Sequence, residues 1–562
     1  MRSPADVPGR PRRSRKRVGL IGAVVVLFFL LTSLRGIAGF YTTFLWFDEL
    51  NLTSVWKGVL GAKLMLGVVF TVAFFGLMWL NLVIANRLAP RFRAIGPEDE
   101  IVQRYRQVLG PHAGKVRLAT AAVFAVLAGA GVSSQWHNWV LFRNAVDFGI
   151  EDPQFGRDVG FFVFQLPFLS FVVNWLLFAV VIIAIVTLVA HYLNGGIRLQ
   201  SPGQRVTANV KAHISVLLGA LALLKAAGYY LQRYELNFST RGVVSGATYT
   251  DVKAQLPALE LLIFISLAAF VMFLANIRRQ GWVLPAVGVG LWAFISVVVG
   301  AIYPAFIQKI RVEPAEVTRE RPYIGRNVEA TREAFSLNDI ELDEFGYTNE
   351  LDATALAENA EVVRNVRLWD PQFTKQTFQR LQEIRSYYRF NDVDVDRYDL
   401  GGTVTQTVMS VRELNPSELP AQSWVNRHLL FTHGFGALVA PANAVTKEGQ
   451  PDFTLKDVPP EGFPELRQPR VYYGETTGGY AIVNSKEREI DFQEREGGET
   501  RFSRYDGRGG VPMSSLVRKA AFALRTKELM GTPPRPSYRL NRVSPPSRSW
   551  KSISLSLLLT MA

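Results

Sequence analysis

Over the first 307 residues, long apolar runs alternate with short polar segments; beyond residue 307 no run of that length occurs. The runs cover 18–40, 58–85, 118–132, 166–193, 214–231, 258–275 and 282–307. A helix rises 1.5 Å per residue, so ~20 residues cross a ~30 Å hydrocarbon core. Six of the seven fit as bounded, and the short third run is expected to extend through SSQWHNW. The pattern predicts seven transmembrane helices. FLWFDELNLTSVW, residues 44–56, separates the first two and reads as their connecting turn. Trp46 and Trp56 are expected at headgroup depth, with Asp48 and Glu49 facing water.

The periodicity changes after residue 307. PQFTKQTFQRLQEIRSYY places Phe373, Phe378, Leu381, Ile384 and Tyr388 at near-helical spacing, so 353–388 reads as helical. DVDVDRYDL, GGTVTQTVMSV, RVYYGE and GYAIVN alternate with period two and read as strands. The expected fold class is an α-helical polytopic membrane domain of seven spans followed by an α+β extracytoplasmic domain. The expected domains are a basic cytoplasmic N-terminus (1–17), the spans (18–307), the extracytoplasmic domain (308–525) and a disordered tail (526–562).

Charge sets the orientation. Segments 1–17, 86–117, 194–213 and 276–281 hold 19 basic and 4 acidic residues, whereas 41–57, 133–165 and 232–257 hold 6 basic and 8 acidic. Cytoplasmic loops carry the Lys and Arg excess, so the first set lies inside, with the N-terminus. Seven crossings then put everything after 307 outside. The formal net charge of +14 is therefore topogenic; residues 308–525 hold 28 basic against 34 acidic residues, which argues against nucleic acid as a partner. PGRPRRSRKR precedes a run longer than a signal-peptide core and no A-x-A-like site follows, so it reads as an anchor for the first span. Cysteine is absent, which excludes disulfides and thiolate chemistry.

Four charged residues fall within the runs: Arg35, Lys63, Lys225 and Glu260. Each is costly in hydrocarbon unless paired, wet or able to lift its charge to the surface. Snorkelling suits Arg35 and Lys63. Lys225 and Glu260, on the fifth and sixth runs, form the candidate intramembrane charged pair; a conduction or substrate role is the alternative. Ala121, Ala125, Gly129 and Ser133 recur at four-residue spacing and predict close helix packing.

Catalytic motifs are missing. No G-x-S-x-G, H-E-x-x-H or P-loop occurs, and no catalytic or cofactor-binding residue is assigned. His428 and His433 lie five apart, a spacing that suits packed histidines better than a metal pair. Asp392, Asp394 and Asp396 are the metal candidates. On a strand they share one face, which either stays solvated or takes a weak calcium ion.

DPQFGRDVGFFVFQLPF (152–168), RVEPAEVTRERPYIGRNVEATREAF (311–335), YYRFNDVDVDRY (387–398), WVNRHLLFTHGFG (424–436) and YYGE (472–475) resemble the uncharacterised integral-membrane protein family 0182 of actinobacteria and cyanobacteria. The resemblance covers 18 to about 525 and implies seven spans with a large extracytoplasmic part. It implies no activity, because the family has none assigned. TKELMGTPPRPSYRLNRVSPPSRSWKSISLSLLLTMA departs from the family pattern, and a frameshift or truncation after about 525 is expected.

The expected protein is thus a multi-pass cell-membrane protein. Its partners are the lipid bilayer and, through the outer domain, an envelope protein, polymer or lipid. The alternatives are a transporter or channel using the spans, and a membrane-anchored metal-dependent enzyme.

Overall fold

In the computed structural model, which describes residues 15–90, 107, 110–198, 206–242, 245–347, 349–475, 477–493, 498–526 and 539–541, the apolar runs become helices. The basic stretch 1–14, much of the loop 86–117 and most of the tail 526–562 lie outside the described residues. Helix α1 (Arg15–Glu49) and α2 (Thr53–Arg87) are joined by Leu50–Leu52, where Asn51 takes φ 57°. FLWFDELNLTSVW is therefore mostly helical and turns over three residues.

Among the described residues six helical stretches, from Thr53–Arg87 (α2) to Val283–Ala334, are long and apolar enough to cross a membrane. The third run extends as expected: α3 (Ala113–Ala130) leads through a 3₁₀ turn into α4 (Trp136–Arg143). Its small-residue stripe is buried at Ala121, Ala125 and Gly129. A Cβ on Gly129 would lie 1.8 Å from Thr71 Oγ1, so only glycine lets α2 and α3 approach this closely.

Helices α5 (Leu166–Leu193), α6 (Ala208–Glu235), α7 (Leu256–Arg279) and α8 (Val283–Val297) follow. Phe161–Gln165, Asp251–Gln255 and Val298–Ile302 are π turns, each followed by one residue and then Pro167, Pro257 or Pro304. Proline lacks an N–H and its ring crowds the carbonyl four residues back. The wider π turn absorbs that misfit and the chain stays helical. For this reason the last stretch does not stop at 307, but passes Pro304 and reaches α9 (Glu316–Ala334). The core of the helical unit gathers Leu66, Phe70, Phe74, Met78, Trp175 and Ile183.

The strand-rich unit is organised around β3 (Val404–Leu414). One edge of β3 pairs antiparallel with β1 (Tyr388–Phe390) and β2 (Asp394–Asp399), the other with β4 (Ala437–Pro441). Short strands β5 (Leu455–Lys456) and β6 (Glu461–Gly462) continue that sheet. Of the helical segment expected over 353–388, two short turns and α10 (Pro371–Gln382) are present, and the chain is already extended at Tyr388. The buried face of α10 is Thr374, Phe378 and Gln382; Phe373 is 73% exposed. Helix α11 (Leu516–Thr526) packs on α1, with Phe522 beside Leu45 and Arg525 Nη1 donating to Thr42 Oγ1 at 2.9 Å.

The chain divides into two compact units, 57–344 and 1–56 together with 345–562. The expected boundary at 307/308 is crossed by the helical stretch running to Ala334, and α1 belongs with the strands because α11 packs on it.

Candidate functional site

Lys225, in the C-terminal half of α6, borders a partly open apolar cavity of about 290 Å³ lined by α5, α6, α7 and α8. Leu177, Val181, Phe273, Gly288 and Trp292 line it with Lys225. The ammonium lies 4.5 Å from the ring centroid of Tyr229 and 5.7 Å from that of Trp292. The ring faces carry negative quadrupole density and attract the cation without neutralising it. Tyr229 is held by a 3.3 Å hydrogen bond between its hydroxyl and Ser296. The indole N–H of Trp292 is buried and has no hydrogen-bond partner. The cavity surface is almost wholly apolar; Lys225 contributes to its lining and carries its ammonium against Tyr229 and Trp292.

Glu260 is placed elsewhere. Its Oε1 lies 3.7 Å from Nη2 of Arg233, with the two side chains 48% and 25% exposed. Among the described residues no carboxylate lies within ion-pair distance of Lys225. The reason is helix length: Arg233 was expected in a loop, but α6 runs to Glu235 and presents Arg233 to Glu260. Of the other charges in the runs, Arg35 is exposed and Lys63 lies 5.5 Å from the Trp136 ring centroid.

A second polar group is buried where α5 ends and α6 begins. Asn81 Nδ2 donates to Leu77 O at 2.7 Å, which leaves Oδ1 to accept from His213 Nε2–H at 3.2 Å. His213 Nδ1 then accepts from His191 Nε2–H at 3.0 Å. By this chain Nδ1 of His191 keeps its lone pair, buried and without a partner. Nothing in the spacing of Asn81, His191 and His213 announced the cluster.

In the strand-rich unit, Asp392, Asp394 and Asp396 are exposed along the edge strand β2 and its approach. Alternate strand residues are ~6.6 Å apart, so the three carboxylates spread along the edge instead of converging. Among the described residues no group of three His, Cys, Asp or Glu side chains could hold a metal ion. Partial burial, then repulsion from Asp392 and Asp396, raises the Asp394 carboxyl above its ordinary value.

The histidines also separate. His428 stacks on Tyr480 with centroids 4.0 Å apart, whereas His433 Nε2 bonds Asp491 Oδ1 at 3.0 Å. Asp491 also receives Arg470 through two nitrogens, at 2.7 and 3.2 Å, and Ser503 at 2.6 Å. Burial opposes its ionisation, but the hydrogen bonds from His433, Arg470 and Ser503 outweigh burial and hold it well below the carboxylate range. Glu489 beside it accepts from Thr432 at 2.5 Å, Tyr472 at 2.8 Å and the Tyr505 backbone at 3.0 Å. This network is largely buried and hydrogen-bonded, and its work is to hold β strands together.

The model of an uncharacterised protein family, UPF0182, matches residues 20–530. The chain belongs to UPF0182. It is 42% identical to a UPF0182 protein of Frankia casuarinae over 93% of this chain and 52% of that protein. A UPF0182 protein of Streptomyces coelicolor is 38% identical over 92% of this chain and 52% of its own. One from a Nocardioides strain is 34% identical over 97% and 56%. The chain spans about half the length of these curated UPF0182 relatives. No solved structure matches it.

Proposed function

We propose that this bacterial chain is a multi-pass cell-membrane protein whose helices bind an amphiphile in the cavity beside Lys225. The observation that carries the reading is an apolar cavity of about 290 Å³ lined in part by Lys225, whose ammonium has no carboxylate in ion-pair reach among the described residues. Helices packed only for stability close such spaces, and an intramembrane charge without a counter-ion marks a ligand path by default. The volume is at the lower end of ligand pockets, ~300–1,000 Å³. In the proposed threading α1 is the first of seven spans, the N-terminus is cytoplasmic and the strands lie outside. The 19 basic residues in one set of loops against 6 in the other support that orientation.

The test compares the purified full chain with Ala222→Trp, which fills the cavity from one of its lining positions. Mass spectrometry of co-purifying lipids should find one species at about one per chain, depleted in the variant. Identical lipid profiles from two equally folded proteins would overturn the reading.

A second reading, binding of an envelope protein, polymer or lipid by the strand-rich unit, is favoured by its apolar lead-in. Phe345 is 89% and Tyr347 77% exposed there, in a segment without regular structure.

A further inference from the structure

We infer that residues 248–255 form an acid-tightened clamp that sets the curvature of the last helical stretch where it leaves its apolar part. That stretch carries two π turns ten residues apart, Val298–Ile302 and Gln308–Val312. Each is followed by one residue and then a proline, Pro304 or Pro314. Each proline removes an amide and crowds the carbonyl four residues back. Prolines and π turns are where helices bend, so the stretch has two joints.

The neighbouring segment fastens both. Gln255 Nε2 donates to Gly300 O at 3.3 Å, and Gly300 lies four residues before Pro304, which has no N–H for that carbonyl. Thr250 Oγ1 donates to Gln308 Oε1 at 2.5 Å, at the start of the second π turn. A third contact lies beyond the second joint: the Tyr249 N–H donates to both oxygens of Glu320, at 3.0 and 3.2 Å. The three contacts reach from Gly300 to Glu320 across both joints, so all three are made at once only when the stretch holds one curvature.

Glu320 makes the third contact sensitive to protons. It is buried on α9, past the last apolar run, and among the described residues no Lys or Arg lies within ion-pair distance of it. Asp251 from the clamp and Glu316 from the preceding turn of α9 repel it. Arg241 is committed to Asp251, at 3.3 Å. Arg311 and Arg319 lie over the Tyr249 ring, 5.9 and 5.6 Å from its centroid, and Tyr323 meets that ring edge-on. Burial, opposed by the Tyr249 hydrogen bond and reinforced by the two carboxylates, raises the Glu320 carboxyl above its ordinary value. A carboxyl raised in this way binds its proton more tightly in the clamped form than in the open one. The clamp therefore strengthens as pH falls through the raised value toward the ordinary one. Protonated Glu320 still accepts the Tyr249 amide through its carbonyl oxygen, and the repulsion is gone.

The experiment is hydrogen–deuterium exchange of the full chain in lipid nanodiscs at about pH 5.5 and about pH 7.5, corrected for the intrinsic exchange rate. The readout is protection of peptides covering 246–256 and 298–323. In the wild-type chain both should be about threefold or more better protected at the acid pH. Glu320→Gln, which is neutral and keeps an acceptor for Tyr249, should show the acid level of protection at both pH values. Thr250→Val should lower protection at both and keep the acid response, because Glu320 is intact. Wild-type protection that is equal at the two pH values, or that falls with acid, would overturn the clamp. An undiminished acid response in Glu320→Gln would overturn it as well. The wild-type and Thr250→Val comparisons stand even where Glu320→Gln folds poorly.

Discussion

Arg412 is wholly buried on β3, its Nη1 donating to Phe435 O at 2.9 Å and its Nη2 to Gln382 O at 3.3 Å. Its guanidinium carbon lies 5.1 Å from the Phe390 centroid. Burial lowers its pKa to about 10 against the opposing pull of Tyr388 and Asp457. Gly436, at φ 83°, leaves room for it; a Cβ there would meet Nη1 at 2.8 Å. Arg412→Ala should therefore cost ~3–5 kcal/mol, by exposing carbonyls to an empty space, while Arg412→Met should cost much less. Chemical denaturation of the folded chain, followed by near-ultraviolet circular dichroism, checks the order of the two.

Asp491 makes a pH prediction. Its folded pKa lies below its unfolded value, so its stabilisation is complete above ~4 and is lost as pH falls toward the folded value. The strand-rich unit should lose stability on acidification below ~4, and Asp491→Asn should flatten that limb. An unchanged acid limb in the variant would assign the loss to other carboxylates. At the edge strand, the spread of Asp392, Asp394 and Asp396 predicts charge screening without chelation. Calcium and magnesium at equal concentration should then shift the thermal midpoint alike. A calcium-selective shift abolished by Asp394→Asn would show a chelate instead. Glu260→Gln should cost under ~1 kcal/mol, because its pair with Arg233 is long and half exposed.

At the scale of elements, the contact of α2 with α3 turns on one glycine. Gly129→Leu should destabilise the helical unit by ~1–3 kcal/mol, since the new side chain meets Thr71 at once. Thr71→Ala removes the nearest clashing atom and should recover part of the loss, read as thermal midpoints in detergent. The stripe Ala121, Ala125 and Gly129 was legible from spacing alone, because i, i+4 repetition is a property of the helix itself. The ends of the helices were not. Arg233 and the π turn Asp251–Gln255 extend helices beyond their apolar centres, where hydropathy falls but backbone hydrogen bonding continues, and the π turns before Pro167 and Pro304 carry helices past prolines. Phe373 misled for a related reason: its apolar character fitted the period, but the partner sheet covers Phe378 and leaves Phe373 out.

At the scale of the molecule, the proposed threading is open to a direct test in a chain with no cysteine. An impermeant maleimide should label Ala360→Cys in intact cells and Gln107→Cys only after lysis. The reverse pattern would invert the topology. What the sequence by itself determined is the number of apolar runs, the bias of their flanking charge, the change of period after 307 and membership of UPF0182. These are one-dimensional quantities: length against bilayer thickness, charge against loop position, side-chain period against backbone geometry. Only the tertiary structure decided which polar groups meet. Lys225 sits against Tyr229 and Trp292 while Glu260 meets Arg233, because helix length and rotation choose among several arginines and lysines that the sequence leaves equivalent. His433 reaches Asp491 across 58 residues, and Asn81 reaches His213 across 132. Such contacts depend on how packed elements bring distant residues together, and no local spacing encodes them.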